Sequence, residues 1–392
     1  MYKCVLFDGQ YHKQLLPLTF TRPVAYLRIG IFTIQEKWSK HLGFEVGVRT
    51  KDYLAEKFNS IEESVEFGIS AGLLPNENLC KSILGLKEKT ILVQEGSVLA
   101  IKPLPANDDK IEENLQGYNV IEYKGQTDIV EYPHHIFQLN GSEIINDLKQ
   151  VDIDGHKTNE YGLGNLLIGE EIYVEDGANI NGATLNSSEG PIYIQKGAEI
   201  MEGSNIRGPF VLMNDSTVKM GAKIYGPTTI GPNCKVGGEI GNSVFLGFAN
   251  KAHDGYLGNS VIGEWCNLGA DTNTSNLKNN YGEVSSYNYA EDGFIGTGTQ
   301  YCGTIMGDHS KSGINTMFNT GTVVGVFANV FDAGFPPKFI PSFSWGGREN
   351  SDVFDFEKAK QLAEIVMKRR NLIFNEDDEA ILFHVFKEST ED

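Results

Sequence analysis

A six-residue spacing of aliphatic side chains runs through the middle of this chain. Between Ile194 and Val236 every sixth residue is aliphatic, namely Ile194, Ile200, Ile206, Leu212, Val218, Ile224, Ile230 and Val236. An α-helix repeats at 3.6 residues and a β-strand at two, so neither produces this spacing. A repeat of six with glycine, asparagine or aspartate near each corner is typical of a parallel β-helix, in which three such units complete one turn. The spacing therefore predicts a coil that is filled by this aliphatic set.

The rest of the chain divides into regions on either side of the coil. Residues 1–150 alternate strand-like and helix-like segments, which indicates an α/β domain with a largely parallel sheet. The β-helix is predicted over residues 164–346, with irregular insertions of the kind that often carry a site. Residues 353–390 show helical periodicity, and we expect helices that pack against the coil.

Charge and cysteine content exclude several classes of partner. A formal net charge of −19 argues against nucleic acid or an anionic membrane. The five cysteines are scattered and lack the close spacing of a zinc site, so we expect reduced thiols in a cytoplasmic protein and no metal site. No apolar run approaches the roughly 18 residues that a membrane span requires.

Within the coil, residues 251–276 concentrate polar side chains that suit acyl transfer to an amine. The neutral imidazole of His253 is a base of the right strength to take the proton of an attacking nitrogen. The tetrahedral intermediate also needs a donor for its oxyanion, which Asn276 or a nearby backbone N–H would supply. On spacing alone, the alternative is a loop histidine that bonds a carbonyl and has no chemical role.

This segment resembles the acetyltransferase site of the bifunctional N-acetylglucosamine-1-phosphate uridylyltransferase/glucosamine-1-phosphate acetyltransferases. That family carries a histidine, a Y-L-G step, an I-G step, an N-[IL]-G-A step and a further asparagine. The matching residues here are His253, Tyr256-Leu257-Gly258, Ile262-Gly263, Asn267-Leu268-Gly269-Ala270 and Asn276. Downstream, Phe294-Ile295-Gly296-Thr297 resembles the family's F-V-G-S step at the acetyl-CoA site. The resemblance implies a left-handed β-helix.

The resemblance also implies an enzyme, with a role for each matching residue. His253 would be the general base, Tyr256 and Asn267 would hold an amino sugar, and Asn276 would lie near the acetyl group. Acetyl-CoA would be the co-substrate, in a groove lined by Ala270, Thr297 and Asn315. Coils of this class usually trimerise, so we expect a homotrimer with His253 of one subunit facing acyl-donor contacts of the next.

The acceptor's phosphate has no obvious partner in the sequence. Gly247 stands where the family has a lysine. Lys251 is our candidate for this contact, and Arg207 and Lys223 are alternatives elsewhere on the coil.

The first domain carries a second resemblance. Leu16-Pro17-Leu18-Thr19 and Arg22-Pro23 are similar to the P-L-T-x-x-x-P step of sugar-1-phosphate nucleotidyltransferases. That family implies a Rossmann-like α/β fold and a glycine-rich loop whose amides hold a triphosphate. Gly9 would be what is left of this loop, and Arg22 and Arg28 would bind phosphates.

Three departures from that family predict an altered or inactive nucleotidyltransferase site. The loop has one glycine and no G-T-R step, Val24 replaces a lysine, and Ser97 stands where a Mg²⁺-binding aspartate belongs. Glu95, two residues before Ser97, is the alternative ligand that the sequence offers. Without a carboxylate ligand the site loses the ion that neutralises developing phosphate charge. Mg²⁺ is therefore expected only if this domain is active.

The predicted function is acyl-CoA-dependent N-acylation of an amino-sugar phosphate in nucleotide-sugar biosynthesis, fused to a divergent nucleotidyltransferase-like domain. One alternative is an active sugar-1-phosphate nucleotidyltransferase whose β-helix serves as an oligomerisation scaffold. Another is a non-catalytic binding or scaffold protein. A zinc carbonic anhydrase on a β-helix would need three histidine ligands, whereas residues 164–346 contain only His253 and His309.

Overall fold

The computed structural model describes residues 3–106, 116–152, 162–348 and 351–390. These residues form an α/β domain, then a parallel β-helix, then two helices. Among the described residues, no helix is both long and apolar enough to cross a membrane.

The first domain is built on one mixed sheet of six strands, with helices and a short hairpin around it. The strands of the sheet are β1 Cys4–Phe7, β4 Gly47–Arg49, β5 Phe67–Ser70, β6 Thr90–Gln94, β7 Ser97–Lys102 and β8 Asn119–Glu122, and those of the hairpin are β2 Arg28–Ile29 and β3 Phe32–Thr33. Its helices are α1 Tyr11–Gln14, α2 Ile34–Leu42, α3 Asp52–Phe58, α4 Glu77–Leu84 and α5 Pro133–Leu148, with a 3₁₀ turn at Val24–Tyr26. The sheet order is β4–β1–β5–β7–β6–β8, β7 alone runs antiparallel to its neighbours, and β2 pairs with β3.

The coil that follows has three faces of short parallel strands. The first face contains β10 Ile172–Val174, β13 Ile192–Ile194, β16 Phe210–Leu212, β19 Thr228–Ile230, β22 Val244–Phe245, β25 Val261–Ile262, β30 Ile305–Met306, β33 Val323–Val324 and β35 Phe339–Ile340. The second contains β11 Asn179–Ile180, β14 Glu199–Ile200, β17 Thr217–Val218, β20 Lys235–Val236, β23 Asn250–Lys251, β26 Asn267–Leu268, β31 Lys311–Ser312, β34 Asn329–Val330 and β36 Ser344–Gly346, with β37 Asp352–Val353 added antiparallel. The third contains β9 Leu166–Ile168, β12 Thr184–Asn186, β15 Asn205–Arg207, β18 Lys223–Tyr225, β21 Glu239–Gly241 and β24 Tyr256–Gly258, followed by the pair β27 Asn273–Thr274 and β32 Met317–Phe318. A hairpin, β28 Ser285–Asn288 with β29 Gly293–Gly296, is inserted between β27 and β30.

The aliphatic repeat fills the coil as predicted. All the residues of the repeat from Ile194 to Val236 are at most 2% exposed. Ile194 pairs with Leu212, and Leu212 pairs with Ile230, so residues that are three repeats apart stack in neighbouring turns. Burying this column removes a large apolar area from water, which is the main force that closes the coil.

One hydrophobic core continues from the coil into the first domain. Val244, Val261, Ile305 and Val323 on the first face belong to the same buried cluster as the first domain's sheet and helices. The last two helices, α6 Phe356–Lys368 and α7 Glu376–Thr390, pack on Val326, Phe327 and Phe343 of the coil. The side chain of Asp378 in α7 also forms an ion pair with Lys57 of α3, with 2.5 Å between nitrogen and oxygen.

Candidate active site

His253 lies at a corner of the coil, between the second and third faces. The strand β23 ends at Lys251 and β24 begins at Tyr256, so residues 252–255 form the corner and expose the imidazole of His253 to solvent. The next two turns bend at the same corner: Asp271 donates its N–H to the carbonyl of Asp254 at 3.0 Å, and Asn315 donates its N–H to the carbonyl of Ala270 at 2.8 Å. Three predicted residues, His253, Ala270 and Asn315, therefore lie in successive turns of one corner.

Tyr256 and Asn276 are in direct contact on the third face beside this corner. The side-chain amide of Asn276 donates to the Tyr256 hydroxyl at 3.0 Å and to the side-chain oxygen of Asn259 at 2.8 Å. Burial raises the pKa of Tyr256, so its hydroxyl stays neutral. A methyl group on Gly258 would lie 2.3 Å from the Tyr256 hydroxyl oxygen, so the glycine of the Y-L-G step makes room for this pair.

Two asparagines that we did not predict support Tyr256 and Asn276. Asn259 accepts the second hydrogen bond of Asn276, and the side-chain oxygen of Asn273 accepts the backbone N–H of Tyr256 at 2.8 Å. Both asparagines stand near corners of the repeat, where this residue type is common for conformational reasons alone. The sequence therefore gave no signal that separated them from ordinary corner residues.

The second face carries the other predicted sugar contact. Asn267 is half-buried in β26, and its side-chain oxygen accepts a hydrogen bond from the side chain of Asn250 at 2.7 Å. Asn250 and Asn267 are paired in adjacent strands, on the face that leads into the His253 corner. Asn267 and Tyr256 thus flank His253 from opposite sides.

Lys251 requires a correction. The sequence predicts a contact with the acceptor's phosphate, but Lys251 pairs with Val236 inside the coil and is 1% exposed. Its ammonium group donates to the carbonyl oxygens of Gly237 and His253, each at 3.0 Å. The side chain therefore cannot reach a phosphate on the surface, and instead it holds the carbonyl of the residue that carries the imidazole.

The buried ammonium predicts a measurable pH dependence of stability. Burial lowers the pKa of Lys251 to about 8, below its ordinary value of 10.5. Between these values the unfolded chain holds the proton and the folded chain has lost it, so the free energy of unfolding rises with pH. From pH 7.5 to 9.5 we expect this contribution to grow by about 2 kcal/mol. Urea unfolding of the native protein and of Lys251→Met at both values measures it, with the exposed Lys223→Met as control. Parallel pH dependences in all three proteins would contradict it.

Thr297 is not brought to the His253 corner. It follows the inserted hairpin and is 6% exposed, and its hydroxyl donates to the carbonyl of Val284 at 2.7 Å. Val284 belongs to the core shared with the first domain. These contacts tie Thr297 to the junction between domains.

The predicted phosphate-binding residues of the first domain are also placed differently from expectation. Gly9 is exposed, with a φ of +50°, in the turn between β1 and α1. Arg22 is buried and pairs with Glu264 and Asp308 of the coil, at 2.9 Å from Glu264. Its charge is already neutralised, which corrects the predicted role in phosphate binding. Arg28 lies at the edge of a cavity and is described below.

Side chains fill the end of β1, where a nucleotidyltransferase would hold phosphates. Instead of a glycine-rich loop, a helical turn places Tyr11 and His12 in the interior. A Cβ on Gly72 would lie 3.1 Å from the Tyr11 ring, so the ring covers the residues after β5. Asp8 accepts hydrogen bonds from the backbone of Val24 at 3.0 Å and the hydroxyl of Thr50 at 2.6 Å, and burial raises its pKa to about 7.

Glu95, the acid that could replace the missing metal ligand, does not lie beside this position. Glu95 is exposed in the turn between β6 and β7, and β6 lies three strands from β1. Three strand spacings are about 14 Å, too far for one ion to bridge. Among the residues that the structure describes, no group of three or more histidine, cysteine, aspartate or glutamate side chains is arranged to hold a metal ion.

Comparison with known proteins supports both halves of the sequence prediction. Residues 4–154 match the family described as sugar nucleotidyl transferase. A "Bifunctional sugar-1-phosphate nucleotidylyltransferase/acetyltransferase" of Sulfurisphaera tokodaii is 28% identical over 385 residues, covering 81% of this chain and 93% of that protein. The predicted resemblance to bifunctional sugar nucleotidyltransferases and acetyltransferases is confirmed. The matched family and this relative are both transferases, in agreement with the predicted enzyme class.

Other matches are shorter or more distant. The "Bifunctional protein GlmU" of Synechococcus elongatus is 27% identical over 169 residues, which is 40% of this chain and only 33% of that protein. A solved UDP-N-acetylglucosamine acyltransferase from Arabidopsis is 12% identical, covers 54% of this chain and 79% of its own, and has a TM-score of 0.28. The predicted fold class is confirmed as an α/β nucleotidyltransferase-like domain, a parallel β-helix and C-terminal helices, and the left hand of the coil stays a prediction.

Proposed function

We propose that the β-helix transfers an acyl group from acyl-CoA to the amine of an amino-sugar phosphate. The amine nitrogen attacks the thioester carbonyl while His253 takes the amine proton. The C–N bond forms, the C–S bond breaks, and the proton passes to the leaving thiolate to give free coenzyme A. General-base catalysis of this kind contributes about 10²–10⁴-fold to the rate.

The observation that carries the proposal is the exposed imidazole of His253 between two sets of hydrogen-bonding side chains. Tyr256 and Asn276 lie on the third face, and Asn250 and Asn267 lie on the second. The Tyr256 hydroxyl accepts from Asn276, so it keeps its own hydrogen for a sugar oxygen. Ala270, in the next turn of the corner, offers a small side chain beside which a thioester has room.

Lys223, on the same face as Tyr256, is the basic side chain that suits a contact with the acceptor's phosphate. Lys223, Glu239 and Tyr256 occupy paired positions in β18, β21 and β24, so Lys223 lies about 10 Å from Tyr256 along the coil. Its ammonium is exposed and now pairs with Glu239 at 3.1 Å. An exposed pair of this kind is weak and can exchange for a phosphate. We assign the phosphate contact to Lys223, in place of Lys251.

A second subunit completes the site in this proposal. Ile314 in the His253 corner is 73% exposed and Phe331 is 48% exposed, and both are apolar. A homotrimer that covers this corner would bring acyl-CoA contacts of one subunit to His253 of the next. Light scattering of the active protein tests this point, because a fully active monomer would exclude a shared site.

The direct test is release of free thiol from acetyl-CoA by the full chain. We expect release with glucosamine 1-phosphate, and none with N-acetylglucosamine 1-phosphate, whose nitrogen is already acylated. Replacing acetyl-CoA by longer acyl-CoAs identifies the donor. Absence of thiol release with every donor and amino-sugar phosphate would overturn the proposal.

For the first domain, a match to nucleotidyl transferases favours nucleotidyl transfer as a second candidate. Against it stand the buried Tyr11 and His12, the acid Asp8 and the missing metal ligand. We therefore expect no Mg²⁺-dependent pyrophosphate release from nucleoside triphosphates with N-acetylglucosamine 1-phosphate. A coupled pyrophosphate assay with and without chelator measures this, and His253→Ala is the control, since it leaves the first domain intact. Release that the chelator abolishes would show that the domain is active.

A further inference from the structure

A cavity of about 510 Å³ lies where the first domain, the coil and the C-terminal helices meet. The first domain contributes Arg28 and Phe58 to its wall, the coil contributes Phe248 and Trp265, and the C-terminal segment contributes Ile373. A volume of this size is in the range that holds a small organic molecule. None of the residues that we assign to acyl transfer lines it.

The charge on Arg28 is only partly neutralised. One terminal nitrogen donates to the carbonyl of Ile31, and the nearest carboxylate, Glu36, lies 3.8 Å away. Glu36 is itself half-exposed and accepts the backbone N–H of Thr33 at 2.6 Å in the cap of α2. The Nε of Arg28 is buried and has no hydrogen-bond partner among the described residues. Burial lowers the pKa of Arg28, as expected for a guanidinium that lacks sufficient counter-charge.

Arg22, on the same wall, shows the contrast. It pairs with both Glu264 and Asp308, and Asp308 also accepts from the hydroxyl of Thr21 at 2.7 Å. The wall carries four carboxylates, on Glu36, Glu264, Asp308 and Asp378, and three cations, on Arg22, Arg28 and Lys57, and Lys57 pairs with Asp378. The charges nearly balance, which opposes a highly charged anion. The cavity therefore favours one negative group placed at Arg28.

Aromatic side chains form the coil's side of the cavity. The rings of Phe248 and Trp265 are stacked, with centroids 4.3 Å apart and planes inclined by 12°. His309 lies parallel to Trp265 at 6.0 Å, and its buried Nδ1 has no partner among the described residues. Because the rings face one another along the coil, they present their edges to the cavity, and a ring or a flat amide would pack edge-to-face against this largely apolar surface.

The backbone at these aromatics is unusual. Phe248, Trp265 and His309 have φ values of +53°, +62° and +61°. The left-handed region disfavours bulky residues. Asp215 and Asn233, which also have positive φ in earlier turns, are residue types that tolerate this conformation. Phe327 and Phe343, which pack under the C-terminal helices and do not line the cavity, also have positive φ. This conformation therefore belongs to the whole corner of the coil, and the cavity borders three of its rings.

We propose that this cavity binds a small planar organic monoanion, with its charged group on Arg28 and its flat body on Phe248 and Trp265. A carboxylate and a singly charged phosphate ester share this chemistry. A ligand there would touch all three parts of the chain at once. It would therefore stabilise their association by linkage, separately from acyl transfer.

The test is titration of the full chain with 8-anilinonaphthalene-1-sulfonate, a fluorescent planar monoanion. We expect saturable binding that weakens about tenfold or more in Arg28→Gln, because the charge-assisted contact is lost. Phe248→Leu, which removes the ring and keeps apolar volume, should also weaken it. The matched control is Arg207→Gln, an exposed arginine paired with Glu189 on the third face.

Competition with unlabelled anions distinguishes a carboxylate ligand from a phosphate ester. Displacement of the probe by benzoate points to a carboxylate, and displacement by methyl phenyl phosphate, a singly charged diester, points to a phosphate ester. Benzamide, which is neutral, should not displace the probe. If Arg28→Gln does not fold cooperatively, Phe248→Leu decides. No saturable binding to the native protein, native affinity in a folded Arg28→Gln protein, or native affinity in Phe248→Leu would overturn the proposal.

Discussion

Replacing His253 by alanine should lower kcat for acyl transfer by about 10²–10⁴-fold, because the attacking amine loses its general base. The imidazole is exposed at its corner and contributes little to packing, so we expect little change in the free energy of unfolding. KM for the amino sugar should also change little, since Tyr256, Asn267 and Asn276 keep their contacts. Steady-state thiol release and urea unfolding measure the two effects.

The control for this experiment is His384→Ala, which removes another partly exposed imidazole, on α7. His384 stacks on Tyr53 with ring centroids 3.9 Å apart and lies on the C-terminal helix. Its loss should leave thiol release unchanged. Full activity in His253→Ala would remove the base from the proposed reaction. A fall that is the same in both variants would indicate a general effect on folding.

Replacing Arg22 by methionine should destabilise the protein by about 3–5 kcal/mol, because it leaves the buried Asp308 and the partly buried Glu264 without their counter-ion. The pair spans the border between the first domain and the coil, so the loss falls on the contact between them. Methionine keeps most of the side-chain volume, which limits the packing change. The midpoint and slope of urea unfolding give the free energy.

Two further variants separate charge from packing. Arg207→Gln breaks an exposed pair with Glu189 and should cost no more than about 1 kcal/mol. Adding Glu264→Gln and Asp308→Asn to Arg22→Met should recover much of the lost stability, because no buried charge is then left unpaired. A loss in Arg22→Met as small as that in Arg207→Gln would mean that the ion pairs do not hold the domains together.

The interior of the coil was predictable because a six-residue frame places one side chain inward on each face. The frame failed after Val236. Continuing it would put Asn242 and Phe248 inside, whereas the structure buries Ile240 and Phe245 at those steps. The corner at Gly237 and Gly238 is two residues shorter than the corner one turn earlier, and the step from Ile240 to Phe245 is one residue shorter than six, so the register moves by three residues in all. This shift carries Lys251 into the interior, where a lysine is not expected from its chemistry.

The site was predictable only where the signal is local. His253, Tyr256 and Asn276 lie within one short segment, and stacking of turns then brings Ala270 and Asn315 to the same corner. The partners of Arg22 lie far along the chain, and Asp308 is separated from it by 286 positions in the sequence. A single sequence contains no sign of such a pair, and a basic residue near a nucleotidyltransferase motif is naturally assigned to phosphate.

The shared core of Val244, Val261 and Ile305 with the first sheet bears on how this architecture can change. Each half has an apolar surface at the contact, and the other half covers it. Either half expressed alone would expose this apolar surface to water and tend to aggregate. Even without nucleotidyl transfer activity, which is our expectation for the first domain, the chain would therefore still need that domain, because it covers the apolar side of the β-helix.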